Sequence, residues 1–295
     1  MCIRDRVKEF ALEPSSYNLA TSNVDISRAV LDGGDIMLRF NGTDTTATPV
    51  DTAAAMAMVI KARDLELKNI KYVMTMLPTI DSLGVDIPAA SLKNGIVDMG
   101  AKRIHAEFLG IDSVAAAYLT PSAEYLAAHP VEELPADTTA AADDEMWVIT
   151  GDSLRLTGKN AVYAMRDARP LPGLDMNYIE ASDIEIKVDS FYNRGAEITV
   201  PLRRFKATER CGVKLDASGR FSMDSTMMRA ENFDISTLFS SIKFSAEMGM
   251  GDMTSDPRLP VGIDAVATVG VPDLEMIMPA MKPVSYTHLT LPTIL

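Results

Sequence analysis

Ser240-Ser241-Ile242-Lys243 has the Ser-x-x-Lys spacing with which penicillin-binding enzymes set an amine beside a nucleophilic hydroxyl. That chemistry needs a helix to bring Lys to Ser, and companion motifs elsewhere in the chain. Here the four residues run into an alternating pattern, and neither companion motif is present. Cys211 stands between Arg210 and Gly212, and a neighbouring cation lowers a thiol pKa. With no His or Asn constellation to activate it, Cys211 reads as a structural thiol. Asp252 with Asp256, and Asp32 with Asp35, offer oxygens to calcium, but neither pair has the ligand spacing of a calcium loop. They read as solvated turn acids. His105 alternates with Ile104 and Ala106 and reads as a strand residue on a polar face. No catalytic, cofactor-binding or metal-ligating residue is assigned, and the chain is read as a non-enzyme.

The elements tell more than the reactive groups do. From Asp183 to Phe205, Ile184, Ile186 and Val188 alternate with Asp183, Glu185, Lys187 and Asp189. After Asn193-Arg194-Gly195 the alternation resumes with Ile198, Val200 and Leu202 against Glu197, Thr199 and Arg203. A period of two places each apolar trio on one face of a strand. Asn-Arg-Gly supplies residues that tolerate a tight reversal. The stretch predicts a hairpin of two long antiparallel strands, greasy on one face and charged on the other. Pro201 lacks an N–H, so it marks an edge or a bulge.

Composition narrows the class. The net charge of −13 argues against a nucleic-acid groove, which needs clustered Lys and Arg. No run approaches the roughly 18 apolar residues of a membrane span. Met1 to Arg6 and Val284 to Leu295 resemble translated adapter read-through at the edges of an assembly, and such flanks are set aside. On this reading the native chain is residues 7–283, an internal piece of one elongated domain. With Cys2 in the flank, Cys211 has no disulfide partner. Methionine is abundant, at 19 residues, and aromatics make up only 6%. Met fits irregular apolar partners, although filling a core is its ordinary role.

In chain order, Val24 to Phe40 reads as a strand, a turn at Asp32-Gly33-Gly34-Asp35, and a second strand. Asn41 to Thr48 is a polar loop. Ala53 to Ile60 leads into Ala62 to Asn69, which alternates and reads as strand. The same phrase returns in Ala90 to Asp98, in Gly151 to Asn160, and in Asp183 to Val188. Each is read as a short strand ending in Lys, Asn or Gly and followed by another strand. Loose repetition of one such unit marks a quasi-linear β array. Ser113 to Met146 interrupts it, with a helix starting at Thr120-Pro121-Ser122, ended by His129-Pro130, and a loop over Pro135 to Glu145. Trp147 restarts the strands, which recur near Gly219, at Phe221 to Met223, at Ile242 to Met248 and at Val261 to Val271. The predicted class is all-β: an elongated, curved antiparallel sheet with a long inserted loop. The competing architecture is a β-sandwich with ordinary hairpins.

Leu202 to Gly212, followed by Gly219-Arg220-Phe221-Ser222-Met223-Asp224-Ser225-Thr226, resembles the TamB-like proteins of the AsmA superfamily, as found in Bacteroidetes. The Leu-Lys-Asn-Gly phrases resemble the same family, and the likeness extends over most of Val7 to Pro283. The resemblance implies a periplasmic β-taco, anchored in the inner membrane by an amino-terminal helix that lies outside this sequence. Its apolar groove would carry phospholipid acyl chains to the outer membrane. It also implies a role in outer-membrane protein assembly, through a barrel partner bound by a carboxy-terminal region that is likewise absent. Ile184, Ile186, Val188, Ile198, Val200 and Leu202 are the candidate groove residues. No cofactor is expected. An extracellular structural or adhesive β-repeat protein is the alternative, and an enzyme on a β-solenoid, with clustered acids on adjacent turns, is a third.

Overall fold

Period-two alternation over most of the chain gives a single β-sheet. A computed structural model describes residues 2–13, 16–18, 23–41, 58–77, 79–129, 146–166, 169–250 and 261–279. The strands are β1 (Cys2–Glu13), β2 (Ser16–Asn18), β3 (Asn23–Asn41), β4 (Val59–Leu77), β5 (Asp81–Asp98), β6 (Arg103–Thr120), β7 (Val148–Met165), β8 (Tyr178–Arg194), β9 (Glu197–Glu209), β10 (Lys214–Met223), β11 (Met227–Ser236), β12 (Ser241–Gly249) and β13 (Val261–Thr268). Two short helices accompany them, α1 (Ala123–Ala128) between β6 and β7, and α2 (Val271–Ile277) after β13. The sheet is open and curved, and its spatial order follows the sequence from β1 through β3 to β13, with β2 paired to β3 alone. The close backbone neighbours of each strand are its ladder partners, so among the described residues no second layer lies near either face. This is an elongated sheet and not the competing sandwich.

The expected hairpin is present. Arg194 pairs with Glu197 across a turn in which Gly195 has φ +57°. Pro201 lies on an interior strand. The β8–β9 register shifts between Val188, opposite Leu202, and Tyr192, opposite Thr199, so Pro201 sits at a bulge and not at an edge. Two pairings are parallel, β3 with β4 and β6 with β7, where a wholly antiparallel array was expected.

Two other expectations are corrected. No turn separates two strands at Asp32-Gly33-Gly34-Asp35: β3 runs straight through it, with Gly33 at φ +71°. Nor do the Lys-Asn-Gly phrases end strands. Asn94 lies inside β5 at φ +49°, and Gly158-Lys159-Asn160 lies inside β7. These residues bend a strand instead of reversing it, because the ladders on both sides continue past them. A residue at positive φ turns the strand there while the register runs on unshifted, Lys93 and Gly95 facing Asp64 and Ala62 on either side of Asn94.

The kinks line up across the sheet. Gly33, Asn69 and Ser113 (φ +71°, +54° and +60°) lie in β3, β4 and β6, and the ladder brings Pro88 of β5 opposite Asn69. Asp183 of β8 (φ +51°) continues this first crease beyond Gly158, which pairs with Val114 and Ile184. A second crease passes through Asn94, Ser190 (φ +53°) and Asn232 (φ +51°). Pro88 and Asn94, or Asp183 and Ser190, are separated by a stretch of roughly 20 Å at the usual strand rise. Each long strand is thereby divided into a central floor and two flanks.

Ser122 caps α1, its hydroxyl accepting the Tyr125 N–H at 3.0 Å, so Pro121 precedes the cap and does not enter the first turn. His129 ends the helix as expected. The strand over Met227–Ser236 and the helix over Val271–Ile277 were not anticipated. Asn41, the first residue of the expected Asn41 to Thr48 loop, ends β3, while the rest of that loop, the expected loop over Pro135 to Glu145, and the acids Asp252 and Asp256 lie outside the described residues.

Candidate functional site

Strand register converts the separate alternations into continuous rows. Phe10 pairs with Leu31, Leu31 with Leu67, Leu67 with Ala90, Ala90 with Ile111 and Ile111 with Leu156. The row continues through Ile186, Phe205, Ala217, Ile235, Ile242 and Ala267. Every strand on the path from β1 to β13 contributes one residue, and all are apolar. At about 4.8 Å between strands the row is roughly 50 Å long.

Neighbouring rows lie on the same face. Leu65, Leu92, Leu109, Leu154, Val188 and Leu202 pair successively across β4 to β9. Beyond the second crease come Ala62, Gly95, Ala106 and Gly151, which pairs with Phe191. A side-chain Cβ on Gly158 would stand 3.1 Å from the Ile184 Cβ, and the ring of Phe233 fills the space beside Gly219. Phe233 stacks in turn on Phe244, with ring centres 5.3 Å apart. Small residues therefore sit where the creases bring neighbouring strands' side chains together, and larger ones cover the remaining surface.

The six residues singled out from sequence all lie on this face, spread over several rows. Ile186 belongs to the unbroken row, and Val188 pairs directly with Leu202. Val200 pairs with Phe221, and Ile198 with Met223. Ile184 sits at the first crease, against Gly158. Ile184 and Val188 are buried and the other four half-buried. Phe205, Leu156, Ile111, Leu67, Leu31 and Phe10 were missed, although each holds an apolar position in its own strand. Nothing in the sequence pairs one with another.

The opposite face is ionic. Arg28 Nη2 lies 2.9 Å from Glu66, Lys93 Nζ 2.7 Å from Asp64, and Lys187 Nζ 2.6 Å from Glu185. Arg204 and Lys206 share Asp216 at 3.1 and 3.4 Å. Hydrogen bonds from Lys68 and then Arg28 hold the Glu66 carboxyl below the usual carboxylate range, and Lys187 does the same for Glu185. His105 belongs here, its Nδ1 3.0 Å from the Thr150 hydroxyl.

The apolar face is open to solvent over much of its area. Along its unbroken row Phe10 is 62% exposed, Leu67 36% and Ile242 38%. The described residues that are fully buried are mostly small ones beside the creases, such as Ala62, Ala90, Ala106 and Ala207, with Ile70 and Val114 at the first crease. Such a surface can bury apolar matter laid along it without repacking.

The groups weighed for catalysis are not brought together. The Ser240 hydroxyl donates to Asp273, whereas Lys243 Nζ pairs with Asp234 at 2.9 Å. Burial, followed by the neighbouring Glu209, pushes the Cys211 thiol up, opposite to the shift that activates a nucleophile. Asp32 accepts a hydrogen bond from Asn69 at 2.8 Å.

No protein-family model matches the chain, and no curated protein is a significant match to it. The functional reading therefore rests on the trough itself.

Proposed function

We propose that this chain is part of a non-enzymatic envelope protein of the TamB-like kind within the AsmA superfamily. Its apolar trough conducts phospholipid acyl chains between inner and outer membrane, and it serves outer-membrane protein assembly alongside or instead. The observation that carries the reading is the row from Phe10 to Ala267, which crosses every strand on the path without a polar interruption. Burying a methylene is worth about 0.8 kcal/mol, so an acyl chain of roughly 14 methylenes offers about 11 kcal/mol. A continuous apolar path offsets much of the cost of leaving a bilayer, and it needs no activated side chain. An adhesive β-repeat protein would instead display its binding side chains on loops.

The test is photocrosslinking from Ile186 in the full-length protein in its native envelope. Lipid adducts at Ile186 are expected, and Val200→Asp, which sets a charge on the same face, should suppress them while the sheet still forms. A charge held dry on that face costs several kcal/mol. Absence of any lipid adduct from the folded parent protein would sink the proposal.

A further inference from the structure

The chain beyond the edge strand β13 folds back across the sheet's end. Gly270, at the start of α2, lies against the Phe239 carbonyl in the β11–β12 turn. At the far end of the helix the Leu174 N–H, just ahead of β8, donates to the Ile277 carbonyl at 3.0 Å. Between these anchors Met276 Sδ stands 3.5 Å from the place a Cβ on Gly212 would occupy, in the β9–β10 turn. Gly173 (φ +84°) meets Ile277 and Pro279 so closely that no Cβ fits there.

The distances along the two routes differ. From the β11–β12 turn to the start of β8 the sheet spans more than three strand spacings, about 15 Å. From Gly270 to Ile277 a helix advances only about 10 Å. The helix is the chord of a curved arc.

Its lock is Asp273, which at 2% exposure is the most deeply buried side chain among the described residues. The Thr237 and Ser240 hydroxyls both donate to its Oδ2. Both hydroxyl oxygens are themselves held in place: Ser240 Oγ accepts the Gly270 N–H at 3.0 Å, and Thr237 Oγ1 accepts the Ser240 N–H at 2.9 Å. The Ser240 hydroxyl, then that of Thr237, holds the carboxyl below its usual range, so it stays ionised at neutral pH. A buried ion whose partners all lie on another element resists partial displacement, because half-release leaves a desolvated charge.

We infer that α2 is a clasp, with Asp273, Thr237 and Ser240 as its catch, drawing the ends of β8 to β12 together along one rim. Ladder hydrogen bonds keep neighbouring strands paired but leave this curl free to vary. The clasp sets it, and release of α2 lets that rim spread.

The test measures a distance between spin labels at Leu171 and Leu238, which are 62% and 75% exposed and flank the clasped arc. Labels are placed in the full chain carrying Cys2→Ser and Cys211→Ser, without lipid, so the result does not depend on the trough's cargo. Asp273→Ala should lengthen the mean distance by about 4 Å or more and broaden its distribution. The milder Thr237→Val should shift it in the same direction, and Glu275→Gln on the exposed side of α2 should leave it unchanged. Amide exchange in β4 to β6 reports whether the sheet remains folded. Should Asp273→Ala unfold the sheet, the Thr237→Val distance decides. An unchanged, narrow distribution in the folded variant overturns the clasp.

Discussion

The methyl groups of Leu92 occupy the space beside Gly95 where a Cβ would stand. In a regular strand two residues three apart point to opposite faces. Asn94, between them at φ +49°, removes that opposition and returns both to the apolar face. The crease is thus a device for keeping one face greasy while the strand changes direction. Gly95→Val should lose about 1–3 kcal/mol through overpacking. In a Leu92→Ala background the same change should cost clearly less. Urea unfolding of the four-member cycle measures this, and strictly additive losses would show that the two residues do not compete for space.

Ser190 tests whether the second crease stores backbone strain. Its exposed side chain sits in the left-handed region at φ +53°. A β-branched residue there should be disfavoured by about 1–2 kcal/mol, while glycine enters without steric cost. Ser190→Val is expected to lower the unfolding midpoint, and Ser190→Gly to leave it unchanged or raise it. Equal midpoints for Val and Gly would contradict the assigned geometry.

Packing is concentrated at the creases, and the trough is open elsewhere. Ile70, at the first crease, is 4% exposed, and Leu67, on the unbroken row three residues earlier, is 36% exposed. Ile70→Ala should therefore cost about 2–4 kcal/mol, and Leu67→Ala less than about 1.5 kcal/mol. Denaturant melts of the two variants decide the matter. A Leu67→Ala loss as large as that of Ile70→Ala would mean that the face is packed against something.

Asp224 gives an acid-dependent prediction. It closes the β10–β11 turn, accepting the Thr226 hydroxyl and N–H, the Met227 N–H at 2.9 Å, and Arg229 at 3.1 Å. These bonds, the Thr226 hydroxyl foremost, hold its carboxyl well below the usual range. A depressed folded-state pKa contributes stability that is full above the unfolded value, near pH 4, and is lost as pH falls through the folded one. The stability gap between the parent and Asp224→Ala should be constant from pH 7 to 5 and shrink below pH 4. A gap that widens on acidification would reverse the sign and refute the assignment.

The ionic face should matter less than its ion pairs suggest. Lys93 and Asp64 pair at 2.7 Å, yet the Lys93 side chain is 46% exposed. Lys93→Gln is expected to cost less than about 1 kcal/mol, with a loss that falls further in high salt. Thermal melts at two ionic strengths provide the check.

Alternation in single strands determined, from sequence alone, that this chain is β, that one face of each strand is apolar, and that Asn193-Arg194-Gly195 reverses the chain. Those properties depend on residues two positions apart, which every strand carries within itself. Tertiary structure alone decided that Asp32 to Asp35 and Lys93-Asn94-Gly95 bend a strand instead of ending it. Asn and Gly permit positive φ in either case, and the outcome rests on whether the strands alongside hold their ladders beyond the kink. Register is likewise a property of pairs. Phe205 reads as apolar by itself, but only β8 and β10 place it between Ile186 and Ala217 and so complete a path across the sheet. The clasp was equally hidden, since Asp273 acquires its role from Thr237 and Ser240, more than thirty residues away in sequence and adjacent only once β11 and β12 have turned back on each other.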